Sequence, residues 1–169
     1  AMASGTWGAA DVIARHKNLD LLLLWVGRRA GRSSFKQPLA APQDVIEGET
    51  VFVIGHPEGY RFTLSTGIIS RIDHNGFQMS APISPGNSGG PVFDDKGMLL
   101  GIVTSTIDKQ LAPNAENLNF AIRASALLED SGWEFFNNGE QRLADYRAGR
   151  DRCGRAARPD WGAEAGEGP

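Results

Sequence analysis

The sequence predicts an all-β protein whose strands form an antiparallel β-barrel. Short apolar segments recur at intervals of roughly ten residues, with Gly, Pro, Asn and Asp between them, and this spacing is typical of antiparallel barrels and sandwiches. The pair Asn75-Gly76 and the run 94–97 supply residues that tolerate positive φ, as tight hairpin turns require. The segments interpreted as strands are residues 50–54, 62–72, 76–80, 91–93, 98–106 and 118–122.

The elements outside this series are less regular. Residues 11–26 are predicted as strand on both sides of a short polar interruption, because their apolar run is too short and too uniform to show a helical period. Residues 27–43 contain many Arg, Ser, Gly and Pro and predict a loop. Residues 124–129 predict one or two helical turns. Residues 139–169 have little apolar periodicity, so we expect a mostly disordered tail with a short helix near 141–148.

Composition and charge exclude several classes of function. The chain of 169 residues has 17 basic and 20 acidic residues and a net charge of −3, so no concentrated positive field favours a nucleic-acid or acidic-membrane partner. No apolar run approaches the ~20 residues that span a bilayer. The single cysteine, Cys153, excludes an intramolecular disulfide and a cysteine-rich zinc site. We therefore expect a globular fold held by packing, with no metal, no cofactor and no nucleic-acid or membrane partner.

The chemically informative segment is 83–93, whose centre reads Gly-Asn-Ser-Gly-Gly-Pro from Gly86 to Pro91. It resembles the corresponding motif of chymotrypsin-fold serine endopeptidases, in the form found in HtrA-like proteases. The resemblance implies that Ser88 is the nucleophile. It also implies that backbone N–H groups of Gly86 and Ser88, in a turn with Asn87, form the oxyanion hole. Each such donor stabilises the acyl-transfer transition state by roughly 3–4 kcal/mol.

Two other interpretations of this segment are weaker. The same residues satisfy G-x-S-x-G, the nucleophile elbow of α/β-hydrolases, which requires a helix directly after the serine and a histidine further along the chain. Pro91 leads instead into a turn and another predicted strand, and no histidine follows Ser88 in the sequence. The other interpretation is a glycine-rich turn with an incidental serine, and the continuation of the match into a hairpin argues against it.

The resemblance extends beyond the motif, in the family's order, over about residues 10–128. Residues 19–26 are similar to the strand whose aspartate orients the catalytic histidine, which implies that role for Asp20. An aspartate buried in an apolar strand is costly unless it is hydrogen-bonded, and this also singles out Asp20. The alternative is that Asp20 simply ends the polar turn at residues 15–18. Residues 48–59 and 66–70 resemble the strands that open the second barrel. The family prediction therefore does not depend on one motif.

The primary specificity pocket is predicted from the same resemblance. Residues 101–104 and 119–122 are similar to the two strands that flank this pocket. The residue at the base of the pocket corresponds to Pro82, so we expect a preference for apolar rather than basic substrate side chains. The substrate-binding residues that the resemblance implies are Pro82, Ile83, Thr104, Asn119, Phe120 and Ala121.

The sequence contains no histidine where this family places its general base. The order along the chain in this fold is His, Asp, Ser, so the histidine should lie well upstream of Asp20. His16 is separated from Asp20 by about 13 Å if the strand is extended, so we interpret His16 as a turn residue. His56 and His74 are interpreted in the same way. The order Asp20, His56, Ser88 matches subtilisin-like enzymes, but the helix-covered parallel sheet of those enzymes is not predicted here.

The predicted organisation has three parts. Residues 1–43 are the remnant of a first barrel with a linker, residues 44–130 form the complete second barrel, and residues 131–169 form a largely disordered C-terminal tail. A first barrel reduced to its last strand or two leaves an apolar edge along residues 21–26, and such an edge favours pairing with another chain. We therefore expect strand pairing or homo-oligomerisation through this edge.

Two functions follow from the resemblance. The first is a serine endopeptidase that acts on polypeptides through an acyl-enzyme and is incomplete as this chain because the histidine is missing. The second is a catalytically inactive module that binds extended peptides by pairing with the strand over residues 119–122. The resemblance implies a periplasmic or other extracytoplasmic location, although residues 1–5 show no secretory signal.

Overall fold

The computed structural model describes residues 10–26, 39–57, 62–106 and 118–148. Within these ranges the chain forms nine strands and one α-helix. The strands are β1 (Ala10–His16), β2 (Leu22–Val26), β3 (Thr50–Gly55), β4 (Thr63–Ile72), β5 (Gly76–Met79), β6 (Pro91–Phe93), β7 (Leu99–Thr106), β8 (Asn119–Arg123) and β9 (Trp133–Phe135). The helix α1 is Gly139–Arg147, and the 3-10 segments are Pro42–Asp44, Ala124–Leu128 and Asp130–Gly132. The predicted all-β architecture is confirmed.

Six strands close into a barrel in the order β3-β4-β5-β8-β7-β6, and each pairing in it is antiparallel. β3 pairs with β4, with Thr50 opposite Ile68. β3 also pairs with β6, with Phe52 opposite Phe93, and this pairing closes the barrel. A closed barrel has no edge strand, so free backbone groups are confined to strand ends that extend past their neighbours.

The barrel strands alternate between an inward and an outward face. In β3, Val51 and Val53 point inward and are 0% and 1% exposed, whereas Thr50 points outward. Branched side chains of this kind suit a pleated, half-buried surface. The core contains Ala40, Val45, Val51, Val53, Ile69, Phe77, Met79, Ala81, Val92, Leu100, Val103 and Ala121. Burial of this apolar surface is the main force that stabilises the barrel.

Both predicted hairpin turns are present. Between β4 and β5, the Asp73 N–H donates to the Gly76 carbonyl at 2.9 Å. Between β6 and β7, the buried Asp94 carboxylate accepts hydrogen bonds from two amides of its own turn at 2.9 and 2.6 Å. Gly97 has the expected positive φ, at 78°, but neither Asn75 nor Gly76 has one. The β4–β5 turn therefore closes without a left-handed residue.

The chain separates into two compact units, and the barrel belongs to the second. In the first unit, β1 and β2 form an antiparallel hairpin with Ala10 opposite Val26. β9 pairs with the other side of β1, which gives the sheet order β2-β1-β9. Residues 11–26, predicted as an interrupted strand, thus fold back on themselves. β9 was missed because a strand of three residues is too short to show alternation.

The helix expected near residues 141–148 is present as α1. Its Arg142 lies 3.3 Å from the Asp11 carboxylate and 5.5 Å from the centre of the Trp25 ring. Asp11 is exposed, so this ion pair contributes little to stability. The disorder expected for the rest of the tail falls on residues 149–169, which lie outside the described ranges. Among the described residues, no helix has the length and apolar character needed to cross a membrane.

β2 lies at the edge of the three-stranded sheet. Its side chains alternate, and Leu22, Leu24 and Val26 are 62%, 50% and 40% exposed. Val12, opposite Leu24 on β1, extends this apolar face. No strand in the described part of the chain pairs with the outer side of β2, in agreement with the apolar edge expected there.

Candidate active site

Ser88 lies in the loop that connects β5 to β6 and is exposed. Two backbone hydrogen bonds shape this loop. The Asn87 N–H donates to the Ser84 carbonyl at 3.1 Å, and the Gly90 N–H donates to the Asn87 carbonyl at 2.9 Å. These bonds form two successive turns, with Ser88 in the second.

The loop is bound to β7 directly after the serine. The Gly89 N–H donates to the Val103 carbonyl at 2.8 Å, and the Val103 N–H donates to the Gly90 carbonyl at 2.9 Å. Because Val103 belongs to the barrel core, these two bonds fix Ser88 relative to the barrel.

The loop requires glycine at position 86. Gly86 has a φ of 100°, in the left-handed region that disfavours residues with a side chain. A Cβ there would also collide with the carbonyl oxygen of His56. The His56 N–H donates to the Gly86 carbonyl at 3.4 Å, which brings the two backbones together. Glycine at this position therefore permits a close approach between two segments of the chain itself.

The amides around Ser88 differ in their hydrogen bonding. Asn87, included in the predicted oxyanion hole, uses its N–H within the turn, so it shapes the loop and does not offer a free donor. The N–H groups of Gly86 and Ser88 donate to no residue in the ranges that the structure describes. These are the two donors to which the resemblance gives the oxyanion role.

The Asn87 side chain is buried against the end of β3. It is 3% exposed, and its Oδ1 occupies the space that a Cβ on Gly55 would take. This oxygen has no hydrogen-bond partner among the described residues. The sequence did not predict this role of Gly55, because Gly55 and Asn87 are remote in sequence and no local sequence pattern indicates their contact.

The Ser88 hydroxyl donates to the Thr104 carbonyl of β7 at 3.3 Å. Relative to β8, β7 carries one extra residue at Thr104, which is a β-bulge. Bulges bend a strand and redirect its groups, and they are frequent next to active sites. Thr104, predicted to bind substrate, therefore lies beside Ser88, but the contact involves its backbone and arises from a bulge that the sequence does not reveal.

The loop residues predicted to form the specificity pocket precede Ser88. Pro82 is exposed, and Ile83 is half-buried and packs against the barrel core. The buried Asn119 side chain donates from Nδ2 to the Ala81 carbonyl at 2.8 Å. This bond joins β8 to the beginning of the loop, so Asn119 has a structural role in addition to any contact with substrate.

The predicted pairing of a peptide with residues 119–122 is wrong. β8 lies between β5 and β7, with Ala121 opposite Phe77 on one side and Val103 on the other. Both sides of its backbone are therefore already paired. Ala121 is also buried, whereas Phe120 is half-buried and has some accessible surface.

Asp20 lies in the bend between β1 and β2 and is exposed. The argument from burial in an apolar strand is wrong here, because the chain turns over residues 17–20 and β2 begins only at Leu22. No hydrogen bond or ion pair joins Asp20 to another described residue. Its role toward a histidine stays a prediction.

His16 and His74 lie in or beside turns, as predicted, whereas His56 directly follows β3 and its predicted turn falls partly on residues 58–61, outside the described ranges. His16 ends β1, and its Nδ1 accepts hydrogen bonds from two amides of the following turn at 3.3 and 3.1 Å. Its ring packs edge-on against Trp133, with 5.3 Å between ring centres. The His56 ring packs edge-on against Phe62 at 4.7 Å, and His74 is exposed in the β4–β5 turn.

Three carboxylates on the barrel lie close together. Oxygens of Glu49, Asp94 and Asp95 are within 4.8 Å of one another. Oxygen ligands of this kind suit hard cations such as Ca²⁺. The Asp94 carboxylate, however, already stabilises its own turn, and we assign no metal to the cluster.

Residues 1–102 match the family model described as a trypsin-like peptidase domain. Together with the antiparallel barrel and the glycine-rich loop, this match shows that the chain belongs to the trypsin-like serine peptidases. Within that class it is of the HtrA-like kind. It is 33% identical over 130 residues to the protein "Serine protease HtrA-like" of Staphylococcus aureus strains USA300 and NCTC 8325. The match covers 66% of this chain and 16% of those proteins, so the chain spans about a sixth of their length.

Two solved structures are similar to the described fold. The serine endoprotease from Yersinia pestis gives a TM-score of 0.65 at 29% identity, over 76% of this chain and 44% of that one. The HtrA-type protease AlgW, solved with a decapeptide, gives 0.62 at 28% identity, over 76% and 41%. The predicted chymotrypsin-like fold and HtrA-like family are confirmed.

Proposed function

We propose that this chain carries the nucleophile, the oxyanion-binding loop and a substrate-binding strand of a serine endopeptidase. The observation that supports this most directly is the exposed Ser88 hydroxyl beside the amides of Gly86 and Ser88, which have no acceptor among the described residues. An oxyanion that forms on a substrate carbonyl would supply the acceptor that these donors lack.

In the proposed reaction the Ser88 oxygen attacks the carbonyl carbon of a peptide bond while a histidine takes the hydroxyl proton. The C–N bond then breaks, the histidine gives the proton to the leaving amine, and an ester remains on Ser88. Water attacks this ester in the same way, which releases the second product and restores the serine. Asp20 is proposed to orient the histidine and to stabilise its charged form.

The base in this proposal is a histidine outside the 169 residues. His16 uses its Nδ1 within its own turn, and the His56 ring packs against Phe62. Within the described ranges, no hydrogen bond joins either ring to Ser88. The proposal therefore assigns the general-base step to neither of them.

Labelling with a fluorophosphonate probe tests the proposed nucleophile. We expect slow labelling of Ser88 in the chain as given, and faster labelling when imidazole is added, because free imidazole can accept the proton in place of a side chain. Ser88→Ala should abolish the labelling. Ser70→Ala, which changes an exposed serine on β4, should leave it unchanged. A folded chain that stays unlabelled at Ser88 in imidazole would exclude the proposed chemistry for this chain.

A second candidate function is peptide binding without catalysis. The end of β7 supports it, because β6 pairs with β7 only as far as Ile102. Beyond Val103, no strand in the described ranges lies on that side of β7. An extended peptide can add to such an edge through main-chain hydrogen bonds. Binding of peptides by a chain whose Ser88 stays unlabelled would favour this second function.

The proposed substrate preference is for an apolar side chain before the bond that is cleaved. Pro82 and Ile83 precede the nucleophile and offer no carboxylate to pair with lysine or arginine. We expect peptide amides ending in valine or leucine to bind more tightly than matched peptides ending in arginine, as measured by NMR titration. Tighter binding of the arginine peptide would refute the preference, and Pro82→Asp is expected to shift binding toward arginine.

A further inference from the structure

The turn over residues 17–20 is organised around the His16 ring. The ring's Nδ1 accepts hydrogen bonds from the backbone amides of Asn18 and Leu19, at 3.3 and 3.1 Å. A ring nitrogen that accepts must keep its lone pair, so Nδ1 is unprotonated. In this turn His16 is therefore a neutral imidazole whose proton is on Nε2.

The opposite edge of the ring is enclosed. Nε2 is buried and has no hydrogen-bond partner among the described residues. It lies directly over Gly132, where a Cβ would collide with it. Trp133 packs edge-on against the ring, and the Lys17 N–H donates to the Gly132 carbonyl at 2.8 Å. Because a buried donor without an acceptor costs free energy, the closed turn depends on the two bonds at Nδ1.

No carboxylate in the described part of the chain stands ready to balance a positive charge on this ring. The charged side chains described in the segments that touch the ring, and next to them in the chain, are Arg15, Lys17, Asp20, Glu129 and Glu134. Glu134 is paired with Arg15 at 2.6 Å. Asp20 and Glu129 are exposed, and no ion pair joins either of them to His16. A proton added to the ring is therefore left without an acidic partner.

We propose that His16 is a pH-sensitive positioning residue for Asp20. While the ring is neutral, the bonds to Nδ1 hold the turn that carries Asp20. A proton on Nδ1 replaces the lone pair by a donor, which then faces two other donors and breaks both bonds. The turn opens, and both ring nitrogens reach water. The consequence for catalysis rests on the proposed function, in which Asp20 orients a histidine and would lose its fixed position at low pH.

Low pH favours the open turn, because only the open turn can accept the proton. An imidazole free in water is half protonated at about pH 6.5, whereas the two amides of the closed turn point at Nδ1 and exclude a proton there. The open turn therefore binds more protons, and its population rises as the pH falls. Between pH 8 and pH 5 the ratio of open to closed turn should rise about thirtyfold, since a free imidazole prefers its protonated form by about that factor at pH 5.

NMR on the ¹⁵N-labelled chain tests this proposal. The ring ¹⁵N shifts of His16 should show a proton on Nε2 alone at pH 8. The order parameter of the Asp20 amide should be about 0.85 at pH 8 and fall below about 0.6 at pH 5. His16→Asn should keep it high at both pH values, because an asparagine oxygen accepts from the same amides whatever the pH. The control is His74→Asn, which removes an exposed histidine from the β4–β5 turn and should leave the wild-type response unchanged.

Four results would overturn the role of His16. These are a proton on Nδ1 at pH 8, an Asp20 order parameter that is the same at both pH values, a fall that also occurs in His16→Asn, and a fall that disappears in His74→Asn. The amides of the barrel strands are the internal reference, since a fall shared by them would show general unfolding and also contradict a local switch. Fluorophosphonate labelling of Ser88 does not depend on any of these results, so the two proposals fail separately.

Discussion

Single residues around Ser88 show how closely the loop packs against the barrel. Asn87, next to Ser88 in the chain, is buried against Gly55, and Gly86 lies against the backbone of His56. Packing inside proteins is dense enough that one added methyl group forces neighbouring atoms to move. The position of the loop therefore depends on small residues in β3 and directly after it as well as on the glycines in its own motif.

Gly55→Ala is expected to destabilise the protein by about 1–3 kcal/mol, because the new Cβ would overlap the Asn87 side chain. Urea unfolding followed by tryptophan fluorescence measures this change. The control is a double-mutant cycle with Asn87→Ala, which removes the atoms that the Cβ would meet. The double variant should lose less stability than the sum of the two single variants. Simple additivity would show that the contact is not the cause.

The sequence could predict the residues of this site that belong to one continuous motif. Gly86 and Ser88 are recognisable because the turn, its glycines and the proposed nucleophile are neighbours in the chain. The role of Gly55 and the bulge at Thr104 could not be predicted, since each depends on contact between segments remote in sequence. The exposure of Asp20 was also not predicted, because its apolar neighbours favoured a strand position over the alternative that it ends the preceding polar turn.

At the scale of elements, the strands with clear alternation were predicted well and the others were not. β3 to β8 are short and separated by turn residues, and each has one buried and one more exposed face. The alternation of apolar and polar residues along the sequence therefore predicts these strands. The apolar run 21–26 has no polar residue to mark which face is exposed. Only the structure shows that alternate side chains of β2 are exposed along an unpaired edge.

We expect the chain to self-associate through β2, because an apolar edge strand without charges can pair with the same strand of a second copy. Leu24→Lys should reduce this association by placing a charge in the middle of the edge. Sedimentation velocity over a range of protein concentrations measures the effect. Ile68→Lys is a matched control, since Ile68 is 45% exposed but lies where β4 is paired with β3 on one side and hydrogen-bonded to Ser80 on the other. Equal effects of the two substitutions would contradict pairing through β2.

At the scale of the whole molecule, the barrel is stabilised by its core. Leu100 is 0% exposed in that core, and Leu128 is 57% exposed in the 3-10 segment after β8. Leu100→Ala should lower the free energy of unfolding by about 2–5 kcal/mol, because it removes buried atoms and leaves a cavity. Leu128→Ala should change it by less than about 0.5 kcal/mol. Chemical denaturation of both variants would check this, and similar losses would contradict the assigned core.

The closure of the barrel also has a consequence for how quickly the protein reaches its native state. The pairings of Phe52 with Phe93 and of Phe77 with Ala121 join parts of the chain that are far apart in sequence. Long segments must lose their freedom before such pairings form, which is why topologies of this kind fold slowly. The loop that bears Ser88 contacts both β3 and β7, so its final shape depends on those late pairings. A refolding chain should therefore regain most of its secondary structure before it regains a reactive serine.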